Sequence, residues 1–298
     1  MPAIAAFDAF LRERDVPVRP GHPLASGTTF RIGGPARWLV EPATPDQAAA
    51  TLRAARECDI PIRLLGGGSN LLVRDAGVDG AVLRLNRLAS MTWGTDGSAT
   101  VEGGASLPRL VKEATRRGLS GLEGLTGVPG SVAGALVMNA GGRHGEIGPA
   151  VRWVDVLDPD GTPRRLSREE AGFRYRDSDL RGRIVLGARL ELAAADPSAL
   201  ASRYDEIMRD KKETQPLGRP NAGCIFKNPA GEKAGRLIDE CGLKGAREGA
   251  ARVSRKHANF IVNEGRALAD DVLSLIDRVR GDVLARRGVT LELEILVW

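Results

Sequence analysis

The stretch RPNAGCIFKNP, residues 219–229, sets a cysteine between a small-residue bend and a short apolar run. A thiol at position 224 could pack inertly, ligate a metal, attack a carbon or deliver a proton, and its surroundings must decide. Two further stretches carry charge in suggestive patterns. In FRYRDSDL, residues 173–180, Arg174 and Arg176 flank Tyr175 ahead of Asp177 and Asp179; an ordinary solvated charge cluster has the same pattern. In the closing TLELEILVW, Leu291, Leu293, Ile295 and Val297 share one face of an extended strand, and Glu292 and Glu294 share the other. A half-exposed strand would look the same, and spacing does not choose between the glutamates.

Three glycine-rich loops supply a different chemistry. LLGGGSNLLV, residues 64–73, puts Gly66, Gly67 and Gly68 before Ser69 and Asn70. Successive backbone N–H groups in such a turn can cradle an anion, with the serine and asparagine as added donors; an incidental tight turn fits equally. No Gly-Lys-Ser/Thr follows, so this is not a nucleotide P-loop, and the spacing is not that of a dinucleotide fingerprint. GVPGSVAGALVMNAGG, residues 127–142, sets Pro129, Gly130 and Ser131 ahead of a small-residue helix containing Gly134 and leading to Asn139. Such a helix start offers N–H groups to a phosphate, and its small side chains admit a flat ligand. TTFRIGGPA, residues 28–36, is similar in character. Three such loops within about 120 residues suit a long ligand with a pyrophosphate and a flat ring, the shape of a flavin dinucleotide.

Composition narrows the alternatives. The chain has 298 residues, enough for about two domains. Its 37 glycines are about 12% of the chain, against a usual share near 7%. The first residues contain acids within any apolar run, unlike a signal peptide, and no apolar stretch approaches the roughly 18 residues of a membrane span; a cytoplasmic protein with no membrane partner is expected. Three cysteines without paired spacing argue against a disulfide framework, and scattered His22, His144 and His257 argue against a metal centre. The net charge of +5 permits a nucleic-acid partner. Aromatics at 4% are too few for base-stacking platforms, so a small anionic ligand is the better reading.

The elements that must position these residues are α+β. Helices are expected over residues 2–15, 44–59, 106–118, 198–214, 234–242 and 267–288, and a hairpin over 152–166 with DPDG as its turn. Strands are expected at 60–65, 80–85, 98–104, 183–192, 224–226, 258–263 and 290–298. The composition shifts at AAADPSA, which places a domain boundary near residue 200, dividing 1–199 from 200–298.

In order along the chain, TTFRIGGPA, LLGGGSNLLV, GLSGLEGLTGVPGSVAGALVMNAGG, FRYRDSDL, NAGCIFKNP, KHANFIVN and LELEIL resemble the UDP-N-acetylenolpyruvoylglucosamine reductases, flavoenzymes of peptidoglycan precursor synthesis. The resemblance covers nearly the whole chain. It implies an FAD domain of the vanillyl-alcohol-oxidase type, made of two subdomains, and a C-terminal α+β substrate domain. It implies non-covalent FAD held by Gly66, Gly67, Gly68, Ser69, Asn70, Pro129, Gly130, Ser131, Gly134 and Asn139. In the family, NADPH reduces the flavin, which passes hydride to the methylene carbon of an enolpyruvyl ether before the other alkene carbon is protonated.

Carried over residue by residue, the family's YRxS arginine falls on Arg176, its terminal glutamate on Glu294, and its proton donor on Cys224, where serine is more usual. A thiol titrating near 8.5 is a stronger acid than a hydroxyl. The resemblance also places Lys212, Lys227 and Asn228 at the substrate. No tyrosine-bearing insertion precedes residue 200, so the chain resembles the family's shorter form. Arg143 and His144 stand where the family usually has NAGAYG, without an assigned role. A flavin oxidase of the same fold and a glycine-looped nucleic-acid binder are the competing readings. The expected state is a monomer acting on small molecules.

Overall fold

The computed structural model describes residues 2–298. It divides into two compact units: 1–21, 37–67 and 79–208 form the first, and 22–36, 68–78 and 209–298 form the second.

Two sheets of four and five strands dominate the first unit. Strands Val18–Pro23, Pro35–Val40, Val78–Leu83 and Ile62–Leu64 lie side by side in that order. Helices α1 (Pro2–Glu13) and α2 (Pro45–Glu57) accompany it, and Phe7 and Leu11 share a core with Trp38, Ala54, Ala55 and Ala81. The helix α2 forms where its sequence says it should. The Thr44 hydroxyl accepts from the Gln47 N–H at 3.1 Å, Pro45 occupies the first turn, and the alanine stripe is buried. The second sheet is antiparallel, in the order Pro163–Ser167, Val151–Leu157, Ile184–Glu191, Ser98–Glu102, Met91–Trp93. The expected hairpin is there, its turn closed by the Gly161 N–H donating to the Asp158 carbonyl at 2.8 Å. Helix α3 (Leu107–Arg116) starts on the Ser106 hydroxyl and buries Leu107, Leu110 and Val111 among Val101, Leu136, Val154 and Leu190. Helix α4 (Val132–Val137) is a short one.

Helix α5 (Pro197–Thr214) carries the chain from one unit into the other. The second unit has helices α6 (Ala234–Glu240) and α7 (Ala269–Arg287) and a three-stranded sheet of Arg247–Glu248, Ala251–Val253 and Ile261–Asn263. Its core joins Leu237, Ile238, Leu275 and Ile276 to Phe226, Leu291 and Ile295, and also to Phe30, Ile32 and Leu72. Those last three explain why the boundary near residue 200 describes only part of the division. The Asn263 amide donates to the Phe30 carbonyl at 3.0 Å, the Thr29 hydroxyl donates to the Asn221 carbonyl at 2.6 Å, and Leu71–Leu72 pair with Leu296–Val297 in parallel. Two early segments thus fold into the C-terminal unit.

Three expected strands are shorter than their hydrophobic runs. Residues 224–226 form no strand, only a bridge at Phe226; the run 258–263 pairs only at Ile261–Asn263; the run 290–298 pairs only at Leu296–Val297 and a bridge at Leu293. At Phe226 a side chain takes over the hydrogen bonding, with Asn259 serving both its N–H and its carbonyl.

The second sheet of the first unit depends on close backbone approach at Gly104. A Cβ there would overlap the Leu85 carbonyl carbon and oxygen and lie 2.7 Å from the Leu88 carbonyl oxygen. Gly104→Ala is therefore expected to cost about 2 kcal/mol of stability in denaturant unfolding; an unchanged midpoint would mean the Leu85–Leu88 turn yields freely.

Candidate active site

The glycine loops divide between the units. In the first unit, Gly66 and Gly67 face the turn before α4. A Cβ on Gly67 would overlap the Gly130 Cα and lie 2.9 Å from the Ser131 nitrogen; one on Gly66 would lie 2.7 Å from the Ser131 Oγ. Glycine is required here because two backbones meet with no room for side chains. Ser131 caps α4, its hydroxyl accepting from the Gly134 N–H at 3.3 Å. The Val132 and Ala133 N–H groups donate to the Ala105 and Gly103 carbonyls at 2.9 and 2.8 Å. The helix start expected to meet a phosphate has thus spent these three donors within the protein. What remains for a ligand is the half-buried backbone of Gly66, Gly67 and Gly130.

Four residues before Gly130 in the chain, Thr126 is fully buried and its hydroxyl has no hydrogen-bond partner in the protein. A side-chain-free cradle with an unsatisfied buried hydroxyl alongside fits a bound dinucleotide.

Asn139 is 2% exposed, with φ +41°, and its side chain is committed to the protein. Its Oδ1 accepts from the Gly148 N–H at 3.0 Å, and its Nδ2 donates to Glu146 at 2.7 Å and to the Arg174 carbonyl at 3.2 Å. The expected cofactor donor is instead the post holding the loop that carries Arg176. That loop is a tight turn. Arg174 and Asp177 exchange backbone hydrogen bonds at 3.0 and 3.1 Å, and Arg176 takes φ +56°, a left-handed backbone rare outside glycine. The Ser178 hydroxyl donates to the Val137 carbonyl at 2.8 Å, and Arg181 reaches both Asp177 and the Arg176 carbonyl. The Arg181 hydrogen bond holds the Asp177 carboxyl below its usual range despite opposing burial, so the turn stays pinned at neutral pH. The Arg176 guanidinium lies 5.3 Å from the centre of the exposed Tyr175 ring. His144 lies between guanidiniums, Arg143 at 2.9 Å and Arg203 at 3.2 Å.

In the second unit, Gly68 has φ +63°, and a Cβ would overlap the Gly27 carbonyl. Ser69 and Asn70 follow, both half-buried. Cys224 is half-buried behind Gly223, whose φ is +77° and whose N–H donates to the Asn221 Oδ1 at 2.8 Å. The next residue's carbonyl, Ile225, accepts from the Glu294 N–H at 2.8 Å, while the Lys227 N–H donates to the Glu292 carbonyl at 2.9 Å. This antiparallel contact brings Cys224 and Glu294 to neighbouring rungs. It also separates the glutamates: Glu292 is 75% exposed and ion-paired with Lys227 at 3.5 Å, whereas Glu294 is half-buried. Asn228 directs its Oδ1 to the Ala234 N–H at 3.1 Å, opening α6.

A cavity of about 400 Å³ lies within this unit, lined by Lys212, Arg219, Arg252, Arg255, Lys256 and Glu264 among others. Lys212 is thus placed with cations that sequence reading passed over, although the RKH run at 255–257 was a signal. The Lys256 ammonium donates to the Lys212 carbonyl at 2.8 Å. The third glycine loop is structural: a Cβ on Gly33 would lie 2.8 Å from the Val73 Cβ, and one on Gly34 would overlap the Asp75 carbonyl.

With the geometry in place, comparison with known proteins is decisive. The C-terminal domain model of UDP-N-acetylenolpyruvoylglucosamine reductase matches residues 215–298, and an FAD-binding domain model matches 36–167. UDP-N-acetylenolpyruvoylglucosamine reductase 2 of Symbiobacterium thermophilum is 48% identical, over 94% of this chain and 92% of that protein. The chain belongs to the UDP-N-acetylenolpyruvoylglucosamine reductase family. The Heliobacterium modesticaldum reductase is 45% identical over 92% of this chain and 88% of its own length. The crystal structure of the Thermus caldophilus reductase superposes with a TM-score of 0.81 at 44% identity, covering 95% of this chain and 98% of that one. As a member of this reductase family the protein is an FAD-dependent oxidoreductase with the expected α+β fold. The glucooligosaccharide oxidase of Acremonium strictum, 15% identical with a TM-score of 0.51 over 97% of this chain and 60% of that one, shares the fold alone.

Within the cavity, Glu264 bridges Arg252 and Arg247. The Arg252 hydrogen bond, against opposing burial, holds its carboxyl below the usual range. A depressed carboxyl stabilises the fold above its unfolded pKa, about 4.3, and loses that contribution as pH falls through the folded value. Glu264→Gln should cost about 1 kcal/mol near pH 7 and flatten the acid limb of a stability–pH profile; an unaltered limb would show that the bridge is not formed in solution.

Proposed function

We propose that this reductase converts UDP-N-acetylglucosamine enolpyruvate to UDP-N-acetylmuramate at the expense of NADPH, with Arg176, Cys224 and Glu294 as its catalytic residues. The reading is supported most by the Ile225–Glu294 hydrogen bond, which joins the backbone of the thiol segment to that of the strand carrying the second glutamate. FAD, bound without a covalent link, would supply the hydride chemistry that connects NADPH with the methylene carbon of the enolpyruvyl ether. Gly66, Gly67, Pro129, Gly130 and Ser131 would hold it in the first unit, with Gly134 in α4 leaving it room and not donating; Gly68, Ser69 and Asn70 would complete the loop. Residues 1–199 act as its FAD domain and 200–298 as its substrate domain, the latter taking in the two earlier segments.

Hydride addition leaves an electron pair that spreads onto the substrate carboxylate as an enediolate. Arg176 stabilises that charge with a planar fork of donors, its backbone already fixed by the turn from Arg174 to Asp177. Cys224 gives its proton to the carbon next to the carboxylate, which closes the lactyl ether and leaves a thiolate to be reprotonated from solvent. Glu294, half-buried, donates or relays a hydrogen bond at the same centre. Lys212 leads the cationic cavity in binding the substrate diphosphate, and Lys227 and Asn228 flank the thiol segment. The enzyme works as a cytoplasmic monomer on small molecules, with no membrane or nucleic-acid partner.

The first test is NADPH oxidation by FAD-loaded protein with and without the enolpyruvyl substrate. Oxidation that tracks substrate one for one supports the reading; substrate-independent oxygen consumption would hand the site to an oxidase. Cys224→Ala should keep flavin reduction by NADPH and slow product formation by roughly a hundred- to ten-thousand-fold, while Cys224→Ser retains part of it. Normal turnover in Cys224→Ala would remove the proton-donor role. Glu294→Gln should impair the substrate half-reaction far more than Glu292→Gln, whose carboxylate faces solvent; equal mild effects would sink the assignment.

A further inference from the structure

The Asn70 side chain makes a contact that its place in a cofactor loop does not explain. Its Nδ2 donates to the Glu294 carbonyl at 3.0 Å, and its own carbonyl accepts from the Leu296 N–H at 3.0 Å. One residue therefore grips the closing strand on both sides of Ile295. The parallel pairing of Leu71–Leu72 with Leu296–Val297 starts at this point and runs away from Glu294, continuing with the Trp298 N–H on the Leu72 carbonyl at 2.9 Å and the Arg74 N–H on the Trp298 carbonyl at 2.9 Å. On the Glu294 side, where the backbone rungs stop, the asparagine amide supplies the next one.

The consequence falls on Glu294. Its N–H is fixed by the Ile225 carbonyl at 2.8 Å and its carbonyl by Asn70, so both peptide planes flanking its Cα are held. With both planes held, the direction of its Cα–Cβ bond is held as well. Without those two bonds a half-buried carboxyl on so short a pairing would be free to swing.

We infer that Asn70 is a positioning residue for Glu294: it sets the carboxyl at the reacting centre and ties the glycine loop to the strand that carries the acid. The inference rests on the catalytic role given to Glu294 above. Asn70 acts on chemistry through that side chain and not through substrate affinity. Loss of its donor lowers kcat and leaves KM for the enolpyruvyl substrate near its parent value.

The test is a double-mutant cycle on the FAD-loaded protein with Asn70→Ala, Glu294→Gln and their combination. Single-turnover reoxidation of the reduced flavin by the enolpyruvyl substrate is followed alongside FAD affinity and the melting temperature of each apoprotein. We expect Asn70→Ala to slow reoxidation about tenfold in the parent and less than twofold in the Glu294→Gln background. Equal fold-losses in both backgrounds, or a loss accounted for by weaker FAD binding, would overturn the inference while leaving the role of Glu294 intact. A harmless Glu294→Gln would overturn the catalytic reading itself, and with it the inference. If Asn70→Ala does not fold, Asn70→Asp, isosteric but without the donor, must give the same non-additivity; parent-like reoxidation in that variant would overturn the inference.

Discussion

The second unit depends on a pairing between the end of the chain and a segment more than two hundred residues earlier. Leu296–Val297 lie parallel to Leu71–Leu72, and parallel neighbours always require a long connection. Closing so long a loop costs entropy that grows only slowly with its length. The return comes from Leu72, Leu291 and Ile295, all buried in one core with α7, each contributing about 1.5–3 kcal/mol. Once that pairing forms, the glycine loop at 68–70 and the strand bearing Glu294 have fixed positions relative to each other. The antiparallel contact at Phe226–Leu293 then brings in the thiol segment. The chemistry of this unit is thus inherited from a strand pairing two residues long.

The glycines show how one residue type serves two ends. Gly33, Gly34 and Gly77 allow the segments 22–36 and 68–78 to pack backbone against backbone; a Cβ on Gly77 would overlap the Pro35 carbonyl. Gly66, Gly67 and Gly130 meet with similar closeness in the first unit, beside the unsatisfied Thr126 hydroxyl. Clusters that read alike in sequence therefore divide by what lies on their open side. Only the second cluster has an unmet hydrogen-bonding need, which is what separates a cradle from a packing joint.

Much of this was legible. Helices α2 and α3 announce themselves by a capping hydroxyl and a following proline, the hairpin by DPDG, and the closing strand by the burial alternation of Leu291 and Ile295 against Glu292. What stayed hidden depends on partners far along the chain. Nothing in LELEIL separates Glu294 from Glu292 until Lys227 appears beside one and Asn70 beside the other. Asn139 reads as a ligand donor in a glycine loop because its three protein partners lie as far away as Arg174. The segment boundaries were hidden for the same reason: Phe30 and Ile32 look like any local apolar pair, and their core is supplied by residues beyond 220.

The basic character of the chain finds its physical sense at the same scale. Its net charge of +5 is modest, and many arginines are spent in pairs such as Arg174–Asp177, Arg236–Glu240 and Arg165–Asp155. Where positive charge accumulates is the cavity of the second unit, which sets five cations against the single carboxylate of Glu264. That carboxylate is shared with Arg247 outside the lining, so it offsets only part of the field. A concave site with low-dielectric walls concentrates such a field and raises the local concentration of anions. Its volume of about 400 Å³ admits a small anion and excludes a duplex, and with few aromatic residues in the chain there is little to stack bases upon. A diphosphate meets those limits, with Glu264 keeping Arg252 in place between anions.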